Sequence, residues 1–230
     1  MRKLILTLAA ASVLAACNNT SNNAATDKLT ALYKTSYDLK DIPTAITAVQ
    51  LLLQHDSTNA LRDSLPSMYF AVQNISACLT TTNASLTRNP ENEDLNNLKL
   101  LCLEQQGEGK EVLALASKLY AKTGKVEYIY KQASVQLMSG DLEVAGKTIQ
   151  TMMDKYKSAK DSVDIFIDQS QAQKVPVVAA CWNMRGYMFI QKQQYQQAAE
   201  AYQKAIQIFP DFVMARRNLQ QLIQGMQQQR

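Results

Sequence analysis

Five positions, Ala45, Cys78, Val112, Ala145 and Ala198, recur in this chain at spacings of 33, 34, 33 and 53 residues, each within a helical apolar pattern. This period constrains the fold more than any other feature. A unit of about 34 residues is one helix–turn–helix, too small to bury its own apolar face, so copies must stack to close a core. Composition agrees. With 7 Gly and 5 Pro in 230 residues, a turn-dense β-sandwich is disfavoured and long helices are expected. An apolar fraction of 47% is enough for a packed interior. Because charged residues are only 19%, much of the polar surface falls to 24 Gln and 13 Asn.

The clearest unit runs from Ala179 to Phe212 and contains Trp182, Gly186, Phe189, Tyr195, Ala198, Tyr202, Ala205 and Pro210. Gly186 and Ala198 are small where two antiparallel helices meet, the aromatics fill the adjoining layers, and Pro210 stops the second helix. These residues and spacings resemble the tetratricopeptide repeat, whose pattern is W-x2-L-G-x2-Y, then A-x3-F, then A and P. Arg185 departs from it, standing where the pattern has Leu. The resemblance implies an all-α, right-handed superhelical solenoid.

Weaker copies lie upstream. Asp41-Ile42-Pro43 opens a second helix ahead of Ala45, Asn74-Ile75 precedes Cys78, Gln106-Gly107-Glu108-Gly109 precedes Val112, and Gly140-Asp141-Leu142 precedes Ala145. The register predicts five repeats over residues 28–226. A C-terminal capping helix bears Val213, Ala215, Leu219, Leu222, Ile223 and Met226 on one face, and residues 227–230 form a tail. The 53-residue spacing leaves an insertion at about 158–178. Its β-branched run Ser162–Ile167, followed by Lys174-Val175-Pro176-Val177, predicts a small β-hairpin. Two roles stand open for it: a functional flap, or a connector that only packs on its neighbours.

The N-terminus reads as an address. Arg2 and Lys3 precede an apolar run, Leu4 to Ala16, of 13 residues, against the roughly 20 that a transmembrane helix needs. Residues 1–16 therefore read as an export signal. Leu14-Ala15-Ala16-Cys17 resembles a bacterial lipobox, which implies that Cys17 becomes the lipidated first residue. Asn18, where Asp would favour inner-membrane retention in well-studied Gram-negative bacteria, leans towards the outer membrane; the anchored protein is expected to face the periplasm, with the cell surface as the alternative. Residues 17–27 then form a polar tether. The formal charge of +4 falls to about +2 once Arg2 and Lys3 are removed, which leaves no electrostatic footprint for nucleic acid.

Catalytic signatures are missing. The single His55 sits at the end of a helix, where a partial positive charge suits the dipole. There is no second His for a metal cluster or proton relay, and no G-x-S-x-G, H-E-x-x-H or phosphate-binding Gly loop. Neither enzyme activity, cofactor nor metal is expected. Cys78, Cys102 and Cys181 fall on helices of three repeats. Buried free thiols are the favoured reading, and a disulfide among them stands open.

Binding is what the resemblance implies. In tetratricopeptide arrays the first helices line a concave groove, with ligand contacts at fixed repeat positions. Carried over, these are Tyr37, Asp38, Asp63, Phe70, Asn97, Leu101, Glu104, Tyr130, Leu137, Met138, Asn183, Tyr187 and Ile190. Such an amphipathic surface suits a peptide or partner protein. The Lys/Asn/Arg clamp of chaperone-binding relatives is absent. The expectation is a lipid-anchored interaction scaffold of the bacterial envelope. The alternatives are a component of an outer-membrane assembly or secretion machine, and a carbohydrate-binding lipoprotein.

Overall fold

The computed structural model describes residues 24–158, 160–168 and 171–228; the signal segment, Cys17 and most of the tether lie outside them. Helix α1 covers residues 24–38, so the last four tether residues are helical. Ala24 and Ala25 are strong helix formers, and the Thr30 hydroxyl donates to the Thr26 carbonyl at 2.9 Å. The described residues fall into two compact units, with the division at Gln106/Gly107. Among the described residues no helix is long and apolar enough to cross a membrane.

The N-terminal unit continues with α2 (Ile42–His55), a 3-10 turn (Ala60–Ser64), α3 (Leu65–Ala71), α4 (Ile75–Arg88) and α5 (Glu93–Gln105). Its second repeat opens with that 3-10 turn and the seven-residue α3 because Pro66 is tolerated only in a first helical turn. Ala45, Ile46, Val49, Leu65 and Met68 form its core, and Tyr33 of α1 packs on it. Side-chain caps set the starts: Asp41 accepts the Thr44 amide, Asn74 the Ala77 amide and Asn92 the Leu95 amide.

The C-terminal unit holds α6 (Gly109–Thr123), α7 (Val126–Met138), α8 (Leu142–Lys155), β1 (Ser162–Phe166), β2 (Ala172–Pro176), α9 (Val177–Gln191), α10 (Tyr195–Ile208) and α11 (Val213–Gln228). Consecutive helices pack pairwise, and α9 lies closest to α10. Gly186 explains that approach, since a Cβ there would overlap the Tyr202 ring.

The five turns that join paired helices share one device. Lys40, Gln73, Gly107, Gly140 and Gln193 all have positive φ, from 57° to 80°. Each stands five residues before the recurring position of its repeat, and Ala45, Cys78, Val112, Ala145 and Ala198 are all buried. In four of these turns the next amide reaches back five residues: Asp41 to Ser36, Asn74 to Tyr69, Asp141 to Gln136 and Gln194 to Phe189, at 2.8–2.9 Å. This is the Schellman closure of a helix C-terminus. Only two of the five residues are glycines. The left-handed region costs an L-residue about 1–2 kcal/mol, and the greater unfolded-state freedom of Gly offsets part of the gain from replacing it. Gln193→Gly is therefore expected to stabilise the C-terminal unit by about 0.5–1 kcal/mol, measured by urea denaturation.

The hairpin forms as expected, antiparallel from Ser162↔Pro176 to Phe166↔Ala172, with Pro176 ending its strand. Val163, Ile165 and Val175 turn inwards to the core of the unit, whereas Phe166 points out, 62% exposed. Gln173 secures the hairpin to the start of α11: its Nε2 donates to the Asp211 carbonyl at 2.6 Å. Its Oε1 accepts the Val213 amide at 3.1 Å, satisfying a first-turn donor of α11. The Arg217 guanidinium adds a bond to the Ile167 carbonyl. Of the two roles left open, the structure displays the packing one, with β1 and β2 seated on α9 and β1 also on α7.

Candidate functional site

The expected groove residues separate by their position in the repeat. Those five residues into each repeat are largely engaged inside their own unit. Asp63 pairs with Arg88 Nη2 at 2.5 Å and accepts the Ser85 hydroxyl at 3.3 Å, joining the 3-10 turn to α4. Asn97 is half-buried on α5. Tyr130 packs partly buried on the core, and burial pushes its hydroxyl up to about 12 against an opposing hydrogen bond with Ser134. Asn183 accepts the Asn218 amide at 2.9 Å, tying α9 to α11. Such positions face the neighbouring helix and act in packing.

The later positions differ. Leu101, Tyr187 and Met138 are exposed at 37%, 39% and 82%. Tyr37 is exposed on α1 with its ring centroid 5.7 Å from that of Tyr33, and Asp38 beside it is exposed. Phe70, Glu104 and Ile190 are half-buried. Leu137 corrects the expectation outright: it is buried in the core, because its side of α7 faces into the unit.

One recess brings several of these groups together. Tyr187 and Ile190 of α9, Tyr195 and Tyr202 of α10, and Asn218, Gln221, Leu222 and Met226 of α11 line a cleft of about 370 Å³. The floor is Tyr202, whose ring is only 2% exposed and whose hydroxyl is pushed up to about 12, chiefly by burial and then by neighbouring Tyr187. It stays neutral throughout the physiological range. Tyr187, Tyr195 and Met226 form an apolar rim, and Asn218 and Gln221 supply amides beside it. Of the groove residues expected from the repeat pattern, Tyr187 and Ile190 lie here; Tyr195 and the α11 residues are not among them. On the apolar face of α11 Ala215 and Leu222 are buried, whereas Ile223 and Met226 stay 45% and 40% exposed.

A second recess of the same unit surrounds Trp182. Arg185 and Lys204 stand over its ring at 4.9 and 4.4 Å, and Arg185 also donates to Gln150 Oε1 at 2.5 Å. This accounts for Arg where the repeat pattern has Leu. The guanidinium gives the half-exposed Trp a stacked cover and links α9 to α8. Among the described residues no group of three or more His, Cys, Asp or Glu is placed to hold a metal ion.

Residues 179–212 match the tetratricopeptide repeat family. No curated protein matches the chain in sequence. Solved structures share its fold. A tetratricopeptide repeat protein from Parabacteroides merdae is 10% identical, with a TM-score of 0.65 over 88% of this chain and 74% of that one. YrrB, described as a TPR protein with an unusual peptide-binding site, is 16% identical, with a TM-score of 0.56 over 80% and 86%. The MamA protein is 12% identical, with a TM-score of 0.58 over 81% and 92%. The fold is thus of tetratricopeptide type.

Proposed function

We propose that this protein is a lipid-anchored scaffold of the bacterial envelope that takes an extended peptide or partner helix in the α9–α11 cleft. The observation that carries the reading is the convergence of Tyr187, Tyr195 and Met226, each 37–40% exposed, on one recess with the Asn218 and Gln221 amides. Aromatic side chains with few rotatable bonds bury large areas at small entropic cost and serve as anchors. The adjacent amides offer both donors and acceptors to a peptide backbone. The peptide-binding site of YrrB, on a similar fold, supports this use. The anchor rests on the sequence: the basic Arg2-Lys3, the apolar Leu4–Ala16 run and the Leu14–Cys17 box. Outer-membrane placement rests on Asn18.

A photo-crosslinking residue at Gln221 in living cells is expected to capture a protein or peptide. Joint Tyr187→Ala and Met226→Ala substitution should lower that yield tenfold or more, because two anchors are lost. Capture undiminished by the double substitution, or no capture at all, would overturn the cleft assignment. The anchor is tested separately: Cys17→Ala should abolish palmitate incorporation and release the protein from membranes. Persistent labelling would refute lipidation at Cys17.

A further inference from the structure

The geometry points to a disulfide-forming site between Cys78 of α4 and Cys102 of α5, a covalent staple within the N-terminal unit. The two sulfurs lie 3.1 Å apart, and both residues are fully buried. A disulfide bond is about 2.05 Å long, so the sulfurs need close by only about 1 Å. Cys181, the remaining described cysteine, is buried in the other unit's core. The placement is selective. Cys78 occupies the recurring slot that holds Ala in three other repeats, at Ala45, Ala145 and Ala198. A thiol is thus not required there for packing, yet the second Cys stands directly opposite it.

The chemistry needs an oxidant, here a small-molecule disulfide such as oxidised glutathione. One cysteine thiolate attacks a glutathione sulfur, forming a mixed disulfide and releasing one glutathione thiolate. The second cysteine thiolate then attacks the protein sulfur of that mixed bond, closing Cys78–Cys102 and releasing the other thiolate. Both thiol protons end on the two glutathiones, and the two electrons that leave the cysteines reduce the oxidant. Burial holds the Cys102 thiol at about 12, so little thiolate exists in the closed state. Oxidation therefore proceeds while α5 is away from α4, either during folding or in local opening, and the finished bond is shielded from reductants. The staple closes a short loop spanning the α4–α5 turn and restricts the unfolded chain. This inference is independent of the cleft and of the anchor.

The test uses the full chain carrying Cys17→Ala, refolded from urea in a reduced and oxidised glutathione mixture, alkylated and digested with trypsin. Peptides 63–88 and 100–110 should appear joined, two hydrogens lighter than their sum, with Cys181 alkylated. The oxidised N-terminal unit should melt on the order of 10 °C above the reduced one. Cys78→Ala, which places in the slot the residue other repeats carry, should fold, lose the joined peptide and erase the effect of reductant. Alkylation of both Cys78 and Cys102 after refolding under oxidising conditions would overturn the inference. So would a bond from either one to Cys181.

Discussion

Phe212→Ala is expected to destabilise the C-terminal unit by about 3–5 kcal/mol, the range for a fully buried Phe. Phe212 is 0% exposed in the turn before α11, with its ring centroid 6.3 Å from that of Phe209. It belongs to the core that also holds Val175 of the hairpin, Ala205 of α10 and Ala215 of α11. The hairpin, α10 and α11 therefore share one core with this ring, and a core built from several elements cannot fully collapse into the space its loss would leave. The Arg216 amide also bonds to the Phe212 carbonyl, so the first turn of α11 starts from this residue. The single Trp182 lies in this unit, which makes urea denaturation followed by its fluorescence specific to it. Phe166→Ala is the matched control: its ring is 62% exposed, and its loss should stay within about 0.5 kcal/mol. A Phe212→Ala loss no larger than the control's would show that this ring does not organise the hairpin–α11 junction.

Gly186→Ala is expected to cost about 1–3 kcal/mol, although Ala is the better helix former by about 1 kcal/mol. The sign is decided by Tyr202. An added methyl at residue 186 would overlap one side of its ring, and Tyr202 is held at 2% exposure by its neighbours. Relief must come by moving α9 from α10, the closest helix pair in the unit. Gly146 on α8 is the informative contrast. A Cβ there would meet the Met188 sulfur at 3.6 Å, an ordinary contact, so Gly146→Ala should be neutral or stabilising by up to about 1 kcal/mol. If steric overlap is the cause, Tyr202→Leu should suppress the Gly186→Ala loss, giving a coupling of at least about 1 kcal/mol in a double-mutant cycle. Additive effects, or a stabilising Gly186→Ala, would refute it.

Much of the fold was legible from local rules. The period that links Ala45 to Ala198 tells where helices must touch, because only small side chains let backbones approach. The alternation Val163, Asp164, Ile165 marks a strand with one inner face. The lone Trp182 and Gly186 mark the best repeat, and the family match to residues 179–212 falls on that unit. The candidate site was less legible. Carrying groove positions over assumes that each of those positions faces outwards. Asp63, Tyr130, Leu137 and Asn183 show otherwise, each taken up by a neighbour that the local pattern does not specify.

What the sequence by itself determined is the repeat: its length, its buried slot, its insertion and its helical class. Each follows from side-chain size and periodicity within a stretch of about 34 residues. Tertiary structure alone decided which polar and aromatic groups remain available. The contact of Cys78 with Cys102, the bond of Asn183 to Asn218 and the opening between Tyr187 and Met226 join residues 24, 35 and 39 positions apart. Such pairs depend on how one helix lies against the next. That geometry is set by the summed packing of all the intervening side chains, which no local pattern encodes.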